Sequence, residues 1–457
     1  MSLRVTLIEP TRYGMDGTPR KSRRILVPTM TLPYLAALTP PEFSVRIVQD
    51  AMEEIDFEDR PDLVGITAVT LHVRRAYAIA DEFRARGVPV VMGGVHVTLK
   101  PEEARAHADT LILGEAELSW PRFLRDFAAG VPNPLYEAER PPTLEGLPVP
   151  RWDLLRNWDT RQFHGLLKFL TFLTAPRTIF LRPVVTVQTS RGCATNCDYC
   201  TVTKFFGART RYRPVGEIVE EINALGARFV FFTDDNLFAS SDRARELFTA
   251  LQPLRLKWIG FAPIGVGEQP DLLKLARASG CSMLLLGIES LFGESLTSVN
   301  KKINRPEDYP RNLAAIRRAK ILSVALFMLG FDNEGPDAIS RTHDFIMANR
   351  IPVAIFSTLT PYPGTRVYER LKREGRLYEE AWWLKKGRPV NALDFIRPGS
   401  SPEEFYEELY HHYRRVYSLK GCFLRAAAAP PRAALPIFFL NLYLAQRVRR
   451  RFTSLVD

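Results

Sequence analysis

Short apolar runs alternate with helical stretches along the first 130 residues of the chain. The predicted strands are residues 4–8, 44–48, 63–69, 89–92 and 110–113. The predicted helices are residues 31–38, 73–86, 101–107 and 119–128. This alternation is typical of an α/β fold with an open, doubly wound (Rossmann-like) parallel sheet and helices on both faces. Such a sheet binds ligands at the carboxyl ends of its strands.

A second alternation of strands and helices begins at Pro183. Its six predicted strands are residues 184–188, 229–233, 257–262, 282–288, 322–331 and 353–358. Its predicted helices are residues 215–225, 242–251, 270–278, 306–319 and 337–349. The repeated pattern indicates a second α/β domain, in which chemistry is expected where the strands end.

The regions around this second domain are less regular. Residues 131–158 are rich in proline and are predicted to be a linker, and an unusually apolar insertion follows at residues 163–181. The insertion is too short and interrupted to span a bilayer, and either a buried packing helix or part of an apolar substrate entrance explains it. The predicted domains are residues 1–130, 131–182 (linker with insertion), 183–365 and 366–457.

The C-terminal region is predicted to be helical and basic. Acids and a proline after Ser401 begin a helix through about Tyr417, in which His411 and His412 are predicted to lie on the surface. A loose basic segment at residues 420–432 precedes an amphipathic helix at residues 437–452. This last helix either docks on the protein or lies on an anionic membrane surface, and both interpretations stay open.

Composition bounds the class of protein and its compartment. The 457 residues, 46% of them hydrophobic, are enough for two to three globular domains. The net charge of +11 is concentrated toward the C-terminus, where the residues from Lys420 onward include seven basic side chains and one acid. Five cysteines without a framework of regular pairs, and a start that passes directly into a strand, predict a cytoplasmic protein.

Three of the five cysteines form the motif C-x-x-x-C-x-x-C at Cys193, Cys197 and Cys200, just after a predicted strand. Three thiolates at this spacing can hold three irons of a [4Fe–4S] cluster and leave the fourth iron open to a substrate or cofactor. The alternative is a zinc site or core cysteines. A closed zinc site needs a fourth ligand, and Cys281 and Cys422 are far along the chain.

At these residues the chain resembles the radical S-adenosylmethionine (SAM) enzymes, whose signature places an aromatic residue before the last cysteine, here Tyr199. The resemblance implies a partial (β/α)6 barrel of the TIM type. It also implies that the three cysteines ligate the cluster and that the open iron chelates SAM, whose cleavage yields a 5′-deoxyadenosyl radical. Tyr199 would lie against the adenine, unless it is an ordinary core aromatic.

Three strand ends extend this resemblance. Asp234 and Asp235 follow the second barrel strand, where carboxylates meet the methionyl amine in the family. Gly287 and Glu289 end the fourth strand, where a glutamate accepts hydrogen bonds from the ribose or amine, and Gly330 in the fifth leaves room for adenine. The alternatives are turn or helix-capping roles for the aspartates and a rim salt bridge for Glu289.

The N-terminal domain resembles the cobalamin-binding domain of one large radical SAM subfamily, the class B methyltransferases. The likeness is carried by a Gly-Gly-x-His-x-Thr turn at residues 93–98 and a Gly-Glu-x-Glu turn at residues 114–117. The cobalamin-binding residues predicted from the loops at the strand ends are Thr11, Tyr13, Thr67, Ala68, Val69, Gly93, Gly94, Val95, His96, Gly114 and Glu115.

The N-terminal domain departs from other cobalamin domains at the first strand end. Residues 9–14 read Glu-Pro-Thr-Arg-Tyr-Gly, so the Asp-x-His-x-x-Gly motif that supplies the cobalt-ligating histidine is absent. The resemblance therefore implies base-off cobalamin. His96 can approach the corrin, although a histidine in a turn also serves as a capping or hydrogen-bonding residue.

Together the two resemblances imply a cobalamin-dependent radical SAM enzyme. The expected reaction is C-methylation of an unactivated carbon in an apolar lipid-, isoprenoid- or tetrapyrrole-like substrate or another natural product. The radical would abstract hydrogen, and methylcobalamin would supply the methyl group. Oxidative ring closure or carbon–carbon bond formation without net methylation is the alternative enzyme, and a non-catalytic iron–sulfur or cobalamin sensor is the alternative of another class.

The expected partners follow from this chemistry. They are a small-molecule or lipid substrate, an electron donor such as flavodoxin or ferredoxin, and peripheral contact with an anionic membrane. No nucleic acid is expected. The related methylthiotransferases that modify tRNA need three further cysteines in the N-terminal domain, whereas residues 1–192 contain none.

Overall fold

The computed structural model describes residues 2–22, 27–155, 184–335, 337–389, 391–399, 401–427, 429 and 431–449. The predicted apolar insertion at residues 163–181 lies outside the described residues. The predicted division of the chain into four regions stays a prediction.

The N-terminal half is built on a six-stranded parallel sheet. Its strands are β1 (Leu3–Glu9), β2 (Phe43–Gln49), β3 (Leu63–Thr67), β4 (Val90–Gly93), β5 (Thr110–Leu113) and β6 (Leu135–Glu137). They lie in the order β2-β1-β3-β4-β5-β6. The order reverses between β1 and β3, and ligands of such sheets bind near this switch point, beyond the carboxyl ends of the strands.

Five helices connect these strands. They are α1 (Thr31–Leu38), α2 (Val73–Ala85), α3 (Val95–Leu99), α4 (Pro101–Ala104) and α5 (Ala116–Ala128). The predicted helix at residues 101–107 ends at Ala104, whereas the short α3 and β6 were not predicted. Both missed elements have five residues or fewer, too few for a hydrophobic period to stand out.

The second half forms the predicted partial barrel, in which six parallel strands lie side by side in chain order. Its strands are β7 (Val184–Val187), β10 (Phe229–Phe232), β11 (Lys257–Pro263), β12 (Cys281–Glu289), β13 (Leu322–Leu329) and β14 (Val353–Thr358). A two-stranded hairpin, β8 (Ser190–Arg191) and β9 (Arg211–Tyr212), brackets the cysteine motif. The cysteines therefore lie at the carboxyl end of the first barrel strand.

Helices follow the barrel strands. They are α6 (Val202–Phe205), α7 (Val215–Ala224), α8 (Ser241–Leu251), α9 (Pro270–Ala278), α10 (Gly293–Ser298), α11 (Tyr309–Arg318) and α12 (Ala338–Ala348). Their apolar faces cover a core of nearly inaccessible strand residues, with Phe232, Trp258, Leu284 and Ile288 at 0% exposure. Burial of these large side chains supplies the main driving force for closing the barrel wall.

The C-terminal region contributes α13 (Arg366–Arg373), α14 (Pro402–Val416), α15 (Leu419–Ala427) and α16 (Pro431–Arg449). Helix α14 begins with a reciprocal capping box between Ser401 and Glu404. The prediction of a loose segment after residue 420 is wrong, because α15 occupies most of it and packs against α16. None of the helices in the described part of the chain is both long and apolar enough to cross a membrane.

Helix α14 lies along the outer edge of β14, the last barrel strand. Tyr413 donates a hydrogen bond to the Phe356 carbonyl over 2.6 Å, and Tyr417 donates one to the Ala354 carbonyl. The helix thereby satisfies groups that an open sheet edge would leave unpaired. The prediction that His412 lies on the surface is wrong: its ring is 3% exposed and meets the Phe356 ring edge to face at 4.5 Å.

Candidate functional site

The cysteine loop turns sharply at Gly192, which has a φ of +89°. A Cβ on Gly192 would collide with the carbonyl oxygen of Arg209, so only glycine fits here. Beyond it, Cys193 and Cys200 are half-buried and Cys197 is 7% exposed. Burial raises the pKa of the Cys197 thiol and raises that of Cys200 to about 11. Iron binding would deprotonate both thiols, because the thiolate is the metal ligand.

Two distant segments hold the cysteine loop in place. The side-chain amide of Asn300 donates to the Asn196 carbonyl over 3.0 Å, and the Asp198 amide donates to the Val299 carbonyl over 2.9 Å. From the start of α13, Arg366 donates to the Asp198 carboxylate over 2.6 Å and also to the Asn196 carbonyl. These supports were not predicted from the sequence, although Arg366 directly follows a Pro-Tyr-Pro-Gly-Thr stretch at residues 361–365.

The donor set fits an iron–sulfur cluster. Among the described residues, no group of three or more His, Cys, Asp or Glu side chains is arranged around a point where a single metal ion would sit. A cluster asks for a different arrangement, because each cysteine ligates a different iron. Three free thiols on one rigid loop, two of them half-buried, meet that requirement.

A buried ion pair lies beside the cysteines. The Glu289 carboxylate is 3.4 Å from the Lys301 Nζ, and the two side chains are 13% and 14% exposed. Glu289 stands at a β-bulge with a φ of +65°, and a Cβ on Gly287 would lie 2.8 Å from its Oε1. Burial alone would lower the pKa of Lys301, but Glu289 and the neighbouring thiols raise it. Lys301 was not predicted from the sequence.

The half-buried Tyr199 ring packs against the core, and its hydroxyl lies near the Cys197 thiol. Burial, followed by the nearby Glu289, raises the pKa of Tyr199 well above its usual range. This position accommodates both alternatives for Tyr199, a core aromatic and a wall for a bound adenine.

The two aspartates after β10 have different surroundings. Asp234 is completely buried and accepts hydrogen bonds from the Thr189 amide and hydroxyl and from the Ser190 hydroxyl. It thus ties the end of β10 to the start of the cysteine loop. Asp235 is half-buried; burial and then the neighbouring Asp234 raise its pKa to about 6.

Gly330 lies close to the C-terminal region. Its φ is +96°, and a Cβ there would be 3.2 Å from the Phe405 ring and 3.4 Å from Leu393. Its amide donates to the buried Glu334 carboxylate over 3.2 Å. The space directly over Gly330 is therefore filled by Phe405 and Leu393, and a role for Gly330 beside adenine stays a prediction.

The predicted cobalamin turns form a tight cradle at the carboxyl edge of the first sheet. Gly94 has a φ of +99°, and a Cβ there would lie 2.8 Å from the Thr67 hydroxyl and 2.9 Å from the Ala68 backbone. The Thr98 hydroxyl donates to the Gly94 carbonyl over 3.0 Å and accepts from the Gly114 amide over 2.9 Å. One side chain therefore joins the two glycine turns that sequence analysis singled out.

Exposed apolar side chains lie near this edge. Val69 is 48% exposed, Leu71 41% and Leu118 54%, although each follows a strand of the buried sheet. Val95 begins α3, beside Gly93 and Gly94. A ligand with a broad apolar face would cover such side chains, so the residues present fit a corrin.

Other predicted cobalamin residues are engaged within the protein. His96 is 0% exposed, with Nδ1 3.2 Å from the Thr70 hydroxyl and Nε2 3.1 Å from Glu103. This is the hydrogen-bonding alternative for His96. Thr11 is buried and its amide donates to Asp50 over 3.1 Å, whereas Tyr13 is half-buried.

Glu115 faces the barrel rather than an open crevice. Its carboxylate accepts a 2.6 Å hydrogen bond from Arg191 and a second one from Arg211, and its side chain is 5% exposed. Arg191 directly precedes the glycine of the cysteine loop, so this ion pair joins the carboxyl edges of the two sheets. Sequence analysis did not single out Arg191, and its place beside the cysteine motif was the available signal.

Family comparisons agree with this two-part site. The family model of the B12 binding domain matches residues 28–124, and that of the radical SAM superfamily matches residues 187–346. The chain is similar to bacteriochlorophyllide d C-12(1)-methyltransferase from Chlorobaculum tepidum, with 30% identity over 86% of this chain and 82% of that protein. The C-8(2)-methyltransferase from the same organism is 28% identical over 88% of each chain.

A solved structure shares the fold. The radical SAM methyltransferase TsrM from Kitasatospora setae, with cobalamin and a [4Fe-4S] cluster bound, aligns with a TM-score of 0.65 over 98% of this chain and all of that one, at 17% identity. At 17% identity, the similarity to TsrM supports only the shared fold. The 30% identity to the bacteriochlorophyllide methyltransferase over most of both chains carries the family assignment. This chain therefore belongs to the family of cobalamin-dependent radical SAM methyltransferases.

Proposed function

We propose that this enzyme methylates an unactivated carbon of an apolar substrate, with a tetrapyrrole as the first class to test. The observation that carries the proposal is the contact between Glu115 and Arg191, because it brings the cobalamin turns next to the cysteine loop. The two named relatives act on bacteriochlorophyllides, which favours a tetrapyrrole over a lipid, an isoprenoid or another natural product.

The cofactor sites are proposed from the geometry. Cys193, Cys197 and Cys200 would hold the [4Fe–4S] cluster, and the turns around Gly94 and Gly114 would hold cobalamin. When bound, the cluster and SAM supply a 5′-deoxyadenosyl radical, and cobalamin supplies the methyl group. The absence of the Asp-x-His-x-x-Gly histidine and the internal hydrogen bonds of His96 favour base-off cobalamin.

The surrounding side chains would orient and shield these groups. Lys301 offers a buried positive charge to a carboxylate such as that of SAM, and Glu289 offers oxygens to an amine or a ribose. Asp235 is the more accessible acceptor of the aspartate pair, whereas Asp234 would act by holding the loop. Gly287 leaves space for the Glu289 side chain, and Tyr199 would form one wall of the site.

The test begins with anaerobic purification, reconstitution with iron and sulfide, and loading with hydroxocobalamin. We expect about four irons and one cobalt per chain. The loaded enzyme is then incubated with SAM, a reductant and bacteriochlorophyllide, and the product is examined by mass spectrometry for added methyl groups.

The outcomes separate the proposal from its rivals. Iron without cobalt would contradict a cobalamin-dependent methyl transfer. A bound pair of cofactors with loss of hydrogens from the substrate, and no gain of carbon, would instead support oxidative ring closure. Zinc in place of iron would overturn the cluster assignment.

An acidic one-electron carrier of the flavodoxin or ferredoxin type is the proposed electron donor. The chain carries a net charge of +11, and opposite net charges accelerate the encounter of a donor with its acceptor. The rate of cluster reduction by flavodoxin should fall steeply with ionic strength. A rate independent of salt would contradict electrostatic docking.

We further propose a cytoplasmic protein whose C-terminal helices touch an anionic membrane. On α15, Leu419 and Phe423 are 63% and 64% exposed, and on α16, Leu435 and Tyr443 are each 41% exposed. No acidic residue occurs between Lys420 and Leu455, so the segment suits a negatively charged surface.

Flotation with anionic vesicles tests the membrane contact. The pair of substitutions Leu419→Ser and Phe423→Ser should reduce the floating fraction, because it removes apolar side chains that would enter the interface. Leu118→Ser is the control, since Leu118 is 54% exposed but lies on α5 in the N-terminal half. Equal flotation of both variants and the unchanged protein would contradict this contact.

A further inference from the structure

Arg191 occupies a buried cluster of charges between the two halves of the molecule. Its Nη1 lies 2.6 Å from Glu115 Oε2 and 2.6 Å from Glu117 Oε1, and its Nε donates to the Gln188 side chain over 2.7 Å. The arginine side chain is 7% exposed, and the two glutamates are 5% and 7% exposed. Both carboxylates come from the turn after β5, whereas Arg191 belongs to the barrel.

A second arginine completes the cluster. Arg211, opposite Arg191 in the β8–β9 hairpin, donates to Glu115 and, over 2.9 Å, to the Pro142 carbonyl. Two arginines thus face two glutamates, so the charges balance within the cluster. The Arg191 guanidinium also lies 5.8 Å from the Tyr34 ring centroid and 5.7 Å from that of Phe206.

The cluster lies on a short path between the proposed cofactor sites. Arg191 precedes Cys193 by two residues, and Glu115 follows Gly114, whose amide is held by Thr98. Thr98 also holds the Gly94 carbonyl. One path from the cysteine loop to the Gly94 turn therefore passes through the contact between Arg191 and the glutamates.

A buried ion pair is weak evidence for net stability, because desolvation of the charges offsets much of their attraction, and fixing a geometry is an alternative role for it. The planar guanidinium has donors in a fixed fork, so the hydrogen bond from Nε to Gln188 holds Nη1 at a defined place between the two carboxylates. A lysine ammonium keeps the charge but is a rotating point donor. The arginine side chain is therefore suited to fixing the orientation of the two glutamates relative to the cysteine loop, whereas a lysine would preserve only the electrostatic attraction to them.

We propose that Arg191 is a positioning residue that sets the cysteine loop against the cobalamin turns and so determines the geometry between the two cofactors. It acts through Glu115 and Glu117 and does not itself contact the reacting atoms. The inference rests on the proposed cofactor sites.

The test compares Arg191→Lys with Arg213→Lys. Arg213 is the matched control, because it forms an equally short, equally buried pair with Glu221, at 2.6 Å and with side chains 6% and 1% exposed, but within the barrel. Iron content and hydroxocobalamin affinity are measured for each variant. The bound cobalamin is then reduced to cob(II)alamin, and the relaxation of its electron spin by the reduced cluster is followed.

We expect Arg191→Lys to retain its iron, to bind hydroxocobalamin about tenfold more weakly, equivalent to about 1.4 kcal/mol, and to show altered spin relaxation. Arg213→Lys should leave affinity and relaxation unchanged. Glu117→Gln alters the cluster of charges from the cobalamin side and leaves the Arg191–Glu115 bond in place. It should change the spin relaxation in the same direction as Arg191→Lys, with a smaller loss of hydroxocobalamin affinity.

Other outcomes overturn the inference. Unchanged hydroxocobalamin affinity and unchanged spin relaxation in both Arg191→Lys and Glu117→Gln would show that the cluster of charges does not set the geometry between the two cofactors. Equal losses of hydroxocobalamin affinity in Arg191→Lys and Arg213→Lys would reduce the role of Arg191 to general stability of the fold. Loss of iron from Arg191→Lys would lead to the same conclusion. If the protein without any substitution binds no cobalamin, the result would instead contradict the proposed cobalamin site itself.

Discussion

Gly192 and Gly94 adopt left-handed φ angles of +89° and +99° at places where a side chain would meet neighbouring backbone. Gly94 was predicted to bind cobalamin because it belongs to the Gly-Gly-x-His-x-Thr turn. The structure gives a reason for glycine at this position that holds without a ligand, since the Ala68 backbone itself crowds it. Glycine at these residues shapes the protein before any cofactor binds.

Gly94→Ala should weaken cobalamin binding while the cluster stays intact. The added methyl group would press on Ala68 and Thr67, and the left-handed backbone adds strain of about 1–3 kcal/mol. Gly87→Ala is the control, because its φ is +75° but a Cβ there meets nothing within 4 Å. Titration with hydroxocobalamin gives the affinities. Equal affinities for the two variants would show that cobalamin does not bind at the Gly94 turn.

Cys197→Ala should abolish the charge-transfer absorbance of the reconstituted cluster and all SAM cleavage, because the remaining two thiolates leave an iron without its protein ligand. Cys281→Ala removes a buried cysteine at the start of β12 and should retain the absorbance. Iron analysis and the absorption spectrum check both variants. A Cys197→Ala protein that still cleaves SAM would refute the ligand assignment.

At the scale of elements, α14 closes the exposed edge of the partial barrel. The proline and the acids of its first turn were visible in the sequence, but the partner strand was not. The helix places His412 against Phe356 in the core. Burial, followed by the neighbouring His343 and Arg415, lowers the pKa of His412 to about 3.

Acid should therefore weaken the docking of α14. Between pH 6.5 and about pH 3 the unfolded chain binds a proton at His412 that the folded chain does not, so the free energy of unfolding falls as the pH falls. The expected loss at pH 5 is about 2 kcal/mol.

Urea unfolding of the unchanged protein and of His412→Leu, compared from pH 7 to pH 5, measures how much His412 contributes to the pH dependence of the free energy of unfolding. The variant lacks the titrating ring, so its stability should fall less over the same range. Parallel pH profiles for the two proteins would contradict a buried neutral His412.

At the scale of the whole molecule, the two halves are also joined through Glu103. The Trp383 indole, from the segment after the barrel, donates to this carboxylate over 3.1 Å, and Tyr77 of the first domain donates over 2.9 Å. Burial opposes ionisation, but hydrogen bonds from His96, Tyr77 and Trp383 lower the pKa of Glu103. The contact reaches across 280 residues of chain.

Trp383→Phe should loosen the domain interface, whereas Tyr77→Phe should not. Each change removes one hydrogen bond to the same charged acceptor, worth about 1.5–3 kcal/mol, but only the tryptophan crosses between the halves. Hydrogen exchange should show faster exchange on both sides of the interface for Trp383→Phe. Equal exchange patterns for the two variants would argue that Glu103 serves only the first domain.

The sequence by itself determined the two-domain α/β architecture, the cluster motif and the glycine turns. These features depend on residues that are neighbours in the chain, through the period of apolar side chains, the cysteine spacing and the left-handed φ of Gly94. The strand ends then located the loops that carry the site, because parallel strands present their carboxyl ends at one edge.

Only the tertiary structure decided which side chains meet. Lys301 reaches Glu289 past helix α10, Arg191 reaches Glu115 over 76 residues, and His412 enters the core because α14 packs on β14. Such contacts depend on how separate elements pack, and no periodicity within a short stretch encodes them. The motifs of this chain thus specify the kinds of chemistry present, whereas packing between its two halves decides the geometry in which that chemistry is held.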